Sequence, residues 1–402
     1  MMPDTNYNST LQQLQGNWSF PTAVSFGVGS IRQLPAACRE EGINKPLLVT
    51  DAGLAKLDFV SELIDANEQA ALSTGIFSDV KPNPDGCNVE AGVQVYQQGR
   101  HDGIIALGGG SALDVAKAIA LMVGQDRPMW DFEDVGDNWL RVNADGIAPL
   151  IAIPTTAGTG SEVGRAAVIV DESRQRKVII FHPGMLANRV IADPALTTAL
   201  PADLTAATGM DAFVHSLEAY CASGYHPMAD GIALQSMTLI SQWLPLACSE
   251  ADNLEARSHM LAASMMGAVA FQKGLGAVHA LAHPLGALYD KHHGLLNAIL
   301  LPYVLQYNKP AIEDKLTHIA RVLELEDVSF EGFLRRILQL RESLHIPDDL
   351  QTIGISTEQS KRVGEMAAAD PSAAGNPVQL SANQYSSLFK AAVQGNLQGI
   401  SM

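Results

Sequence analysis

Residues 103–118 read GIIALGGGSALDVAKA, and the order of residue types in this stretch predicts the local fold. The apolar run 103–107 has the composition of a buried β-strand. The glycines that follow form a turn, and apolar residues recur at helical spacing from about residue 112. A strand that passes through a glycine-rich turn into a helix is typical of a parallel sheet covered by helices. Such a turn often binds a phosphate group, but it also occurs in proteins that bind no ligand there.

The segments on either side repeat this alternation. Residues 46–51 and 149–154 are short apolar runs that end in turn-type or ligand-type residues, and helical patterns lie between them. Residues 167–171 and 177–181 flank a polar turn and predict a β-hairpin. Together these segments predict a doubly wound α/β domain.

After residue 194 the composition changes. Long stretches rich in alanine and leucine follow, with few β-branched runs, and they predict helices through the rest of the chain. We therefore expect an α/β domain over residues 1–194 and an all-helical domain over residues 195–402, with the boundary near 194–201. The length of 402 residues agrees with two domains, and a cleft between them would be a common place for a site.

The composition argues against several classes of protein. Apolar residues make up 47% of the chain and charged residues 17%, which is typical of a globular protein. The net charge of −17 argues against a nucleic-acid or membrane partner. The polar start shows no secretory signal, and no apolar run reaches the length of about 18 residues that spans a membrane. Cys38, Cys87, Cys221 and Cys248 are widely spaced, which favours buried thiols in a reducing compartment over disulfides or a zinc cluster, so we expect a cytoplasmic protein.

Polar residues at the ends of the predicted strands form a candidate cofactor site. The turn 108–111 would bring its backbone close to a diphosphate at a helix N-terminus, whose N–H groups favour an anion. Asp51 ends an earlier strand, where an acid accepts hydrogen bonds from the adenine ribose and repels a 2′-phosphate, which favours NAD over NADP. The loop 155–162 (TTAGTGSE) suits a nicotinamide and its ribose. Asp51 and this loop could equally cap helices.

Histidines and one aspartate form the most specific pattern, and it lies in the helical half. Asp211 and His215 are four residues apart, so they project from one face of a helix. His279 and His283 repeat this spacing, and His293 follows soon after. A carboxylate combined with three imidazoles suits Fe(II) or Zn(II), with coordination positions left open for a substrate.

Four motifs, in this order along the chain, resemble the iron-containing (group III) alcohol dehydrogenase family. They are GGGSALDVAKA at 108–118, IPTTAGTGSE at 153–162, ATGMDAFVHSLEAY at 207–220 and GLGAVHALAHPLGALYDKHHGLLNAILLPYVLQYN at 274–308. The resemblance covers residues 20–310 in detail and the remainder more loosely. It implies a Rossmann-like N-terminal domain, an all-α C-terminal domain and a metal between them, an architecture shared with dehydroquinate synthase.

The resemblance also implies roles for individual residues. The family's metal ligands match Asp211, His215, His279 and His293. His283 matches a histidine that lies near the nicotinamide and the substrate without binding the metal, and Phe271 matches a residue of the substrate pocket. The family's cofactor contacts match Asp51, Asn83, Gly109, Gly110, Ser111, Thr155, Thr156, Thr159, Lys177 and Leu196.

The sequence departs from the family pattern in three places. His292 precedes the last ligand position, where many relatives have proline. Gly164 stands where relatives often have threonine, which removes one possible hydroxyl contact to the cofactor. The polar segment before Asn17 has no counterpart in the family.

These observations predict a metal-dependent, NAD-linked alcohol dehydrogenase or aldehyde reductase that acts on primary alcohols or small diols. The alcohol oxygen would bind Fe(II), or Zn(II) in its place, and NAD would take the hydride. The proton would leave to solvent through His283 or the cofactor ribose. The resemblance implies a homodimer. The expected substrate is a small alcohol or aldehyde.

Three alternatives stay open from the sequence. A zinc-dependent glycerol or polyol dehydrogenase would share the fold and most of the ligands. A lyase resembling dehydroquinate synthase would need a strongly basic pocket, whereas residues 207–308 contain only Arg257, Lys273 and Lys291 as basic residues. A non-catalytic protein that binds NAD or a metal is disfavoured because the ligand positions and the cofactor loop are retained.

Overall fold

The computed structural model describes residues 19–174 and 176–400, so the polar segment before Asn17 lies outside the described residues. The described chain divides into two compact units. One, the α/β unit, contains Pro21–Thr205 and Ser249–Met265. The other, the helical unit, contains residues 19–20, Ala206–Cys248 and the described residues from Met266 onward. The boundary expected near residues 194–201 stays a prediction.

A parallel sheet forms the centre of the α/β unit. The strands of this unit are β1 (Ala23–Phe26), β2 (Pro46–Val49), β3 (Gly75–Phe77), β4 (Gly103–Gly108), β5 (Leu150–Pro154), β6 (Ala166–Asp171), β7 (Arg176–Phe181) and β8 (Arg189–Ala192). Six of them form one sheet in the order β1-β8-β5-β4-β2-β3, and all its pairings are parallel. Every residue of β2, β4 and β5 is buried, which explains why these strands appear in the sequence as continuous apolar runs.

Helices and a hairpin complete this unit. The helices are α1 (Leu34–Glu40), α2 (Asp58–Gln69), α3 (Gly86–Gly99) and α4 (Gly110–Met122). Strands β6 and β7 form the antiparallel hairpin that the sequence predicts. Helix α4 starts directly after β4 and packs against β4, β6 and α3, so most of its surface is buried. The predicted strand–turn–helix unit at residues 103–118 is therefore confirmed.

The remaining elements are mainly helical. They are α5 (Ala202–Cys221), α6 (Pro227–Ser249), α7 (Leu254–Ala270), α8 (Ala277–Tyr289), α9 (His293–Val322), α10 (Phe330–Ser343), α11 (Ser360–Ala368) and α12 (Ala382–Gln394). The first ten residues of α8 are all buried, and α9 and α11 pack against this helix. Within the described residues, no single helix has both the length and the apolar composition to cross a membrane. Two consecutive helical segments, Leu254–Lys273 and Ala277–Tyr289, reach that length and composition together, but the chain bends by 106° between them. The predicted combination of an α/β part and an all-α part is confirmed.

Two of the cysteines are buried thiols. Cys38 lies in the core of the α/β unit and Cys221 at the end of α5 in the helical unit. Burial raises the pKa of both thiols to about 12, so both stay protonated at neutral pH. Thiols of this kind are inert packing groups. The expectation of buried thiols is confirmed for Cys38 and Cys221, but it is wrong for Cys87, which is exposed, and Cys248 is only partly buried.

Candidate metal centre

Helix α5 contributes two of the predicted ligands. Asp211 and His215 are one turn apart on this helix, and both are buried. Asp211 Oδ1 lies 3.9 Å from His215 Nε2. The i, i+4 spacing read from the sequence therefore places the two side chains on one face, as expected.

Helices α8 and α9 contribute the other two. His279 lies in the first turn of α8, and His293 is the first residue of α9. Asp290 adopts the left-handed conformation (φ 50°) where α8 ends, and this turns the chain so that α9 packs back along α8. As a result, Asp211 Oδ1 lies 3.8 Å from His279 Nε2 and 3.7 Å from His293 Nε2.

Asp211, His215 and His279 form a compact group that fits a divalent metal ion, and His293 reaches the same carboxylate oxygen. In a tetrahedral site with metal–ligand bonds of about 2.0–2.2 Å, ligand atoms lie about 3.4 Å apart, so the distances of 3.7–3.9 Å need only a small contraction. The donor atoms of Asp211, His215 and His279 all lie within 4.8 Å of one another. One carboxylate with three imidazoles suits Fe(II) and Zn(II) alike.

Burial keeps the central imidazole in the form that binds metals. Burial lowers the pKa of His279 well below its usual value, and the neighbouring His215 lowers it further, while Asp211 acts in the opposite direction. His279 is therefore neutral near pH 7, and one ring nitrogen carries a lone pair. The ring of His215 is stacked on that of His279, with a centroid distance of 4.7 Å.

Glu218 determines which nitrogen of His279 carries that lone pair. Glu218 Oε2 lies 2.7 Å from His279 Nδ1, so Nδ1 donates to the carboxylate and Nε2 is left unprotonated. The carboxylate also accepts from the backbone N–H groups of Gly276 (2.9 Å) and Val278 (2.7 Å), which start α8. Burial raises the pKa of Glu218 to about 7, and these hydrogen bonds limit the rise. From its position on the helix that carries Asp211 and His215, the sequence alone predicts for Glu218 no more than a supporting or packing role.

Asn297 also contacts the ligands, although it was not predicted from the sequence. Its side-chain nitrogen lies 2.6 Å from Asp211 Oδ1, 3.2 Å from His279 Nε2 and 3.1 Å from His293 Nε2. Asn297 is fully buried. A signal was present in the sequence, because this residue follows His293 by four positions and so lies on the same face of α9.

His283 lies beside the ligands and is hydrogen-bonded to an acid, Asp370, that was not predicted from the sequence either. Its ring is stacked on that of His293 with a centroid distance of 5.4 Å. His283 Nδ1 lies 2.8 Å from Asp370 Oδ2. Burial alone would raise the pKa of Asp370, but the charge and hydrogen bond of His283 lower it below its usual value. Asp370 is 87 residues away in sequence, so no local pattern could have indicated it.

Phe271 and His292 have defined places around the ligands. Phe271 starts the short 3₁₀ helix Phe271–Lys273, and its ring lies 5.1 Å from the ring of His215. His292 is the N-cap of α9, and its Nδ1 accepts the backbone N–H of Leu295 at 3.4 Å. The histidine that replaces the family's proline therefore starts the helix that carries His293.

In the α/β unit, several predicted cofactor residues surround the start of α4. A Cβ atom on Gly109 would lie 3.2 Å from the side chain of Thr156, and one on Gly110 only 2.6 Å from that of Thr159. These glycines therefore allow the β5 loop to approach the turn closely. Ser111 donates to the Pro82 carbonyl at 2.5 Å, which places the segment containing Asn83 beside the same turn.

The other predicted cofactor residues lie at the ends of neighbouring strands or on the hairpin. Asp51 Oδ1 accepts the backbone N–H groups of Gly53 (2.8 Å) and Leu54 (3.0 Å), so this aspartate does cap a turn. A Cβ atom on Gly108 would lie 3.9 Å from its other oxygen, so Asp51 also borders the glycine turn. Buried Thr155 follows β5, Lys177 lies on β7, and Leu196 packs against the core of the unit.

Asp114 and Lys117 of α4 fix the loop that follows β5. The Asp114 carboxylate accepts two hydrogen bonds, one from the Ser161 hydroxyl at 2.5 Å and one from the backbone N–H of Val168 at 2.9 Å. The buried Lys117 Nζ donates to the Ser161 carbonyl at 3.0 Å and also to the carbonyl of Ala166. A Cβ atom on Gly164 would lie at ordinary contact distances, 3.5 Å from the Ser161 carbonyl oxygen and 3.8 Å from Lys117 Nζ, so the backbone there would accept a side chain without a clash.

Sequence models of one family match nearly the whole described chain. The model described as "Iron-containing alcohol dehydrogenase" matches residues 21–194, and that described as "Fe-containing alcohol dehydrogenase family, C-terminal" matches residues 205–393. The chain belongs to the iron-containing alcohol dehydrogenase family. It is thus an oxidoreductase that acts on CH–OH groups, and the predictions of family, fold class and enzyme class are confirmed.

Individual relatives agree with this assignment over their full length. The chain is 36% identical to a 4-hydroxybutyrate dehydrogenase of Cupriavidus necator, over 90% of this chain and 96% of that protein. It is 33% identical to an NAD-dependent methanol dehydrogenase of Bacillus methanolicus, over 94% of this chain and 100% of that protein. The crystal structure of a 1,3-propanediol oxidoreductase superposes with a TM-score of 0.89 at 34% identity, covering 94% of this chain and 100% of that one.

Proposed function

We propose that this iron-containing alcohol dehydrogenase family member interconverts primary alcohols and aldehydes with NAD, using one divalent metal ion held by Asp211, His215, His279 and His293. The observation that carries the proposal is the set of distances of 3.7–3.9 Å that join Asp211 Oδ1 to three imidazole nitrogens. Iron is the expected ion. The same donors suit Zn(II), so an assay must compare the two metals.

A primary alcohol is the substrate class with the best support. The relatives named for 4-hydroxybutyrate, methanol and 1,3-propanediol all act on compounds with a terminal hydroxyl group. The aromatic ring of Phe271 beside His215 supports a modest apolar substrate. Small diols fit the same class because they offer the same terminal group.

The ligand residues and His283 would divide the chemistry between them. A bound divalent cation acts as a Lewis acid that lowers the pKa of the alcohol. Glu218 keeps His279 Nδ1 protonated and so directs its Nε2 lone pair toward the ligand group. Asp370 similarly holds Nδ1 of His283, which leaves Nε2 of that ring able to accept the alcohol proton and pass it on.

The α/β unit would hold the dinucleotide. Glycines 108–110 support a close approach of the diphosphate to the start of α4, where Gly109 is the N-cap and supplies no side-chain acceptor. The hydroxyls of Thr155, Thr156 and Thr159 are proposed to contact the nicotinamide half, with Asn83, Ser111, Lys177 and Leu196 as further contacts. The Asp51 carboxylate at the end of β2 supports NAD over NADP, because it would accept from the ribose hydroxyls and repel a 2′-phosphate.

One experiment tests this proposal directly. The chain is purified without oxygen, its metal content is measured, and NADH formation is followed with primary alcohols, diols and glycerol in the presence of Fe(II), Zn(II) or a chelator. We expect Fe(II)-dependent turnover of primary alcohols with NAD⁺ and much less with NADP⁺. Zinc-dependent turnover of glycerol alone would instead support a polyol dehydrogenase, and bound metal without turnover of any alcohol would contradict the proposal.

We also propose a homodimer located in the cytoplasm. Strand β1 is at the edge of the sheet, and Val24 and Phe26 on it are exposed (39% and 47%), so pairing with a second copy would cover them. The buried thiols Cys38 and Cys221 are consistent with a reducing compartment. Native mass spectrometry of the chain and of Phe26→Lys tests the dimer, since a monomeric unsubstituted chain would contradict it.

A further inference from the structure

Asn297 contacts three of the proposed metal donors. This residue lies one turn after His293 on α9. Its amide nitrogen is 2.6 Å from Asp211 Oδ1, 3.2 Å from His279 Nε2 and 3.1 Å from His293 Nε2. Three of the four proposed donor atoms therefore share one amide group as a common neighbour.

The chemistry of the neighbours fixes which end of the amide faces them. A carboxylate oxygen of Asp211 only accepts, and His279 Nε2 carries a lone pair because Glu218 accepts from the other ring nitrogen. An amide NH₂ group satisfies these acceptors, whereas an amide oxygen would be repelled by them. The oxygen of Asn297 points elsewhere and is buried without a hydrogen-bond partner among the residues that the structure describes. The hydrogen bonds of the NH₂ group offset that cost.

We propose that the Asn297 amide is a placeholder for the metal ion. Without the ion, its NH₂ group donates to the lone pairs that the ion would take and so competes with the ion for them. With the ion, these lone pairs are no longer available. Asn297 is a positioning residue, since it contacts ligand atoms rather than reacting atoms. This role rests on the metal centre proposed above.

A count of hydrogen bonds gives the direction of the effect. The NH₂ group has two hydrogens, and it can donate to Asp211 Oδ1, to His279 Nε2 and, when Nε2 of His293 carries the lone pair that a metal would take, to His293 Nε2. Once an ion engages the two imidazole nitrogens, only Asp211 Oδ1, which has a further lone pair, can still accept from Asn297. The loaded form thus keeps about one hydrogen bond fewer than the metal-free form, and Asn297 lowers the metal affinity of the site. Glu218 acts on Nδ1 of His279, which a metal does not use, so its contribution has the opposite sign.

The test compares two buried asparagines. Asn297→Leu replaces the amide with an apolar side chain of similar size, and Asn297→Ala removes the amide and leaves only a methyl group. Asn67 on α2 provides the matched controls Asn67→Leu and Asn67→Ala, because it is equally buried. Its amide nitrogen donates to Thr74 Oγ1 at 3.2 Å, and its amide oxygen also has no partner among the described residues. The Zn(II) affinity of each chelator-stripped full chain is measured by competition with a chromophoric chelator. Urea unfolding is measured with and without Zn(II).

The expected results separate a placeholder from a structural residue. Both Asn297 variants should bind Zn(II) about 2- to 10-fold more tightly, the effect of one neutral hydrogen bond. They should also lose more stability without Zn(II) than with it. The Asn67 variants should lose stability equally in both conditions and keep the original affinity.

Two other results would overturn the inference, and they are distinguishable. Unchanged or weaker Zn(II) binding by both Asn297 variants, beside tight binding by the unsubstituted chain, removes the placeholder role and leaves the metal centre intact. An unsubstituted chain that fails to bind Zn(II), or that binds it equally well after His279→Ala, removes the metal centre and the placeholder role together.

Discussion

Glu218 Oε2 accepts a hydrogen bond of 2.7 Å from His279 Nδ1, and this bond joins the two helices that carry three of the proposed ligands. Glu218 is on α5 with Asp211 and His215, and it also accepts from the first backbone N–H groups of α8. One buried carboxylate therefore holds the start of α8, orients His279 and sets its tautomer. Such partners of metal-binding histidines tune both affinity and geometry.

We predict that Glu218→Gln weakens Zn(II) or Fe(II) binding by about 10- to 100-fold. Glutamine keeps the size of the side chain but loses the charge, and its NH₂ group cannot accept from His279 Nδ1. Chelator competition measures the change. Glu365→Gln on α11 is the control, because the Glu365 side chain is exposed and its carboxylate forms a long ion pair of 3.8 Å with Lys361. Equal affinities for the two variants would contradict the role of Glu218.

A second prediction separates the proton-transfer histidine from the ligands. His283→Gln should lower kcat by about 10²-fold or more while the metal content stays at the original level. His279→Ala should lose metal and turnover together, because it removes a donor. Metal analysis and steady-state kinetics on the same preparations give both quantities. Loss of metal in His283→Gln would make His283 a ligand instead.

The acid hydrogen-bonded to His283 gives a third prediction. Asp370→Asn keeps the acceptor that binds the Ser372 N–H (2.8 Å) but removes the negative charge next to His283. The imidazolium formed when His283 takes a proton then lacks its counter-charge, so kcat should fall about tenfold or more with KM for the alcohol little changed. Ser372→Ala, which leaves the carboxylate in place, serves as the control. A fall in the control as large as in Asp370→Asn would indicate a structural effect only.

The sequence predicted the fold well because its signals are local. Strands β2, β4 and β5 are buried on both faces, and such strands appear as apolar runs between helical patterns. The spacing of Asp211 and His215 is likewise a property of one helix. Asp370 could not be predicted, because only the tertiary fold brings it to His283 from 87 residues away.

Asn297 and Asp51 show a different limit. The i, i+4 relation of Asn297 to His293 was visible, but asparagines on buried helices are too common for spacing alone to indicate a role. Asp51 caps a turn and also borders the glycine turn, so the two interpretations of it that the sequence left open are compatible. The residue type and position of Asp51 allow a capping role and a cofactor-binding role. The geometry shows that Oδ1 alone accepts the two capping hydrogen bonds, while Oδ2 lies beside the glycine turn.

Cofactor choice gives a fourth prediction, at Asp51. Asp51→Asn keeps an oxygen for the Gly53 and Leu54 N–H groups and removes only the charge. Without that charge the repulsion of a 2′-phosphate falls, so the ratio of kcat/KM for NADP⁺ over NAD⁺ should rise about tenfold. Initial rates at saturating alcohol with each cofactor measure it. An unchanged ratio would remove Asp51 from the adenosine site.

Glu162 gives a prediction about stability and pH. Burial raises its pKa to about 7, and Lys117 only partly offsets the effect. The folded chain then holds a proton that the unfolded chain releases near its ordinary pKa of 4.5, so this contribution to stability is full below pH 4.5 and is lost as the pH rises through about 7. We therefore compare the change that Glu162→Gln causes in the free energy of unfolding at two pH values. This change should be more stabilising at pH 8 than at pH 5 by about 1–3 kcal/mol. Urea unfolding at both pH values checks this, and an equal effect at the two would contradict it.

The most direct test of the metal-dependent function is a titration of the chelator-stripped chain with Fe(II) in the absence of oxygen, while NADH formation from a primary alcohol is recorded. The account predicts that turnover rises with added Fe(II) and levels off at one ion per chain, and that His279→Ala stays inactive throughout. Full turnover by the stripped chain before any metal is added, or by His279→Ala, would contradict it.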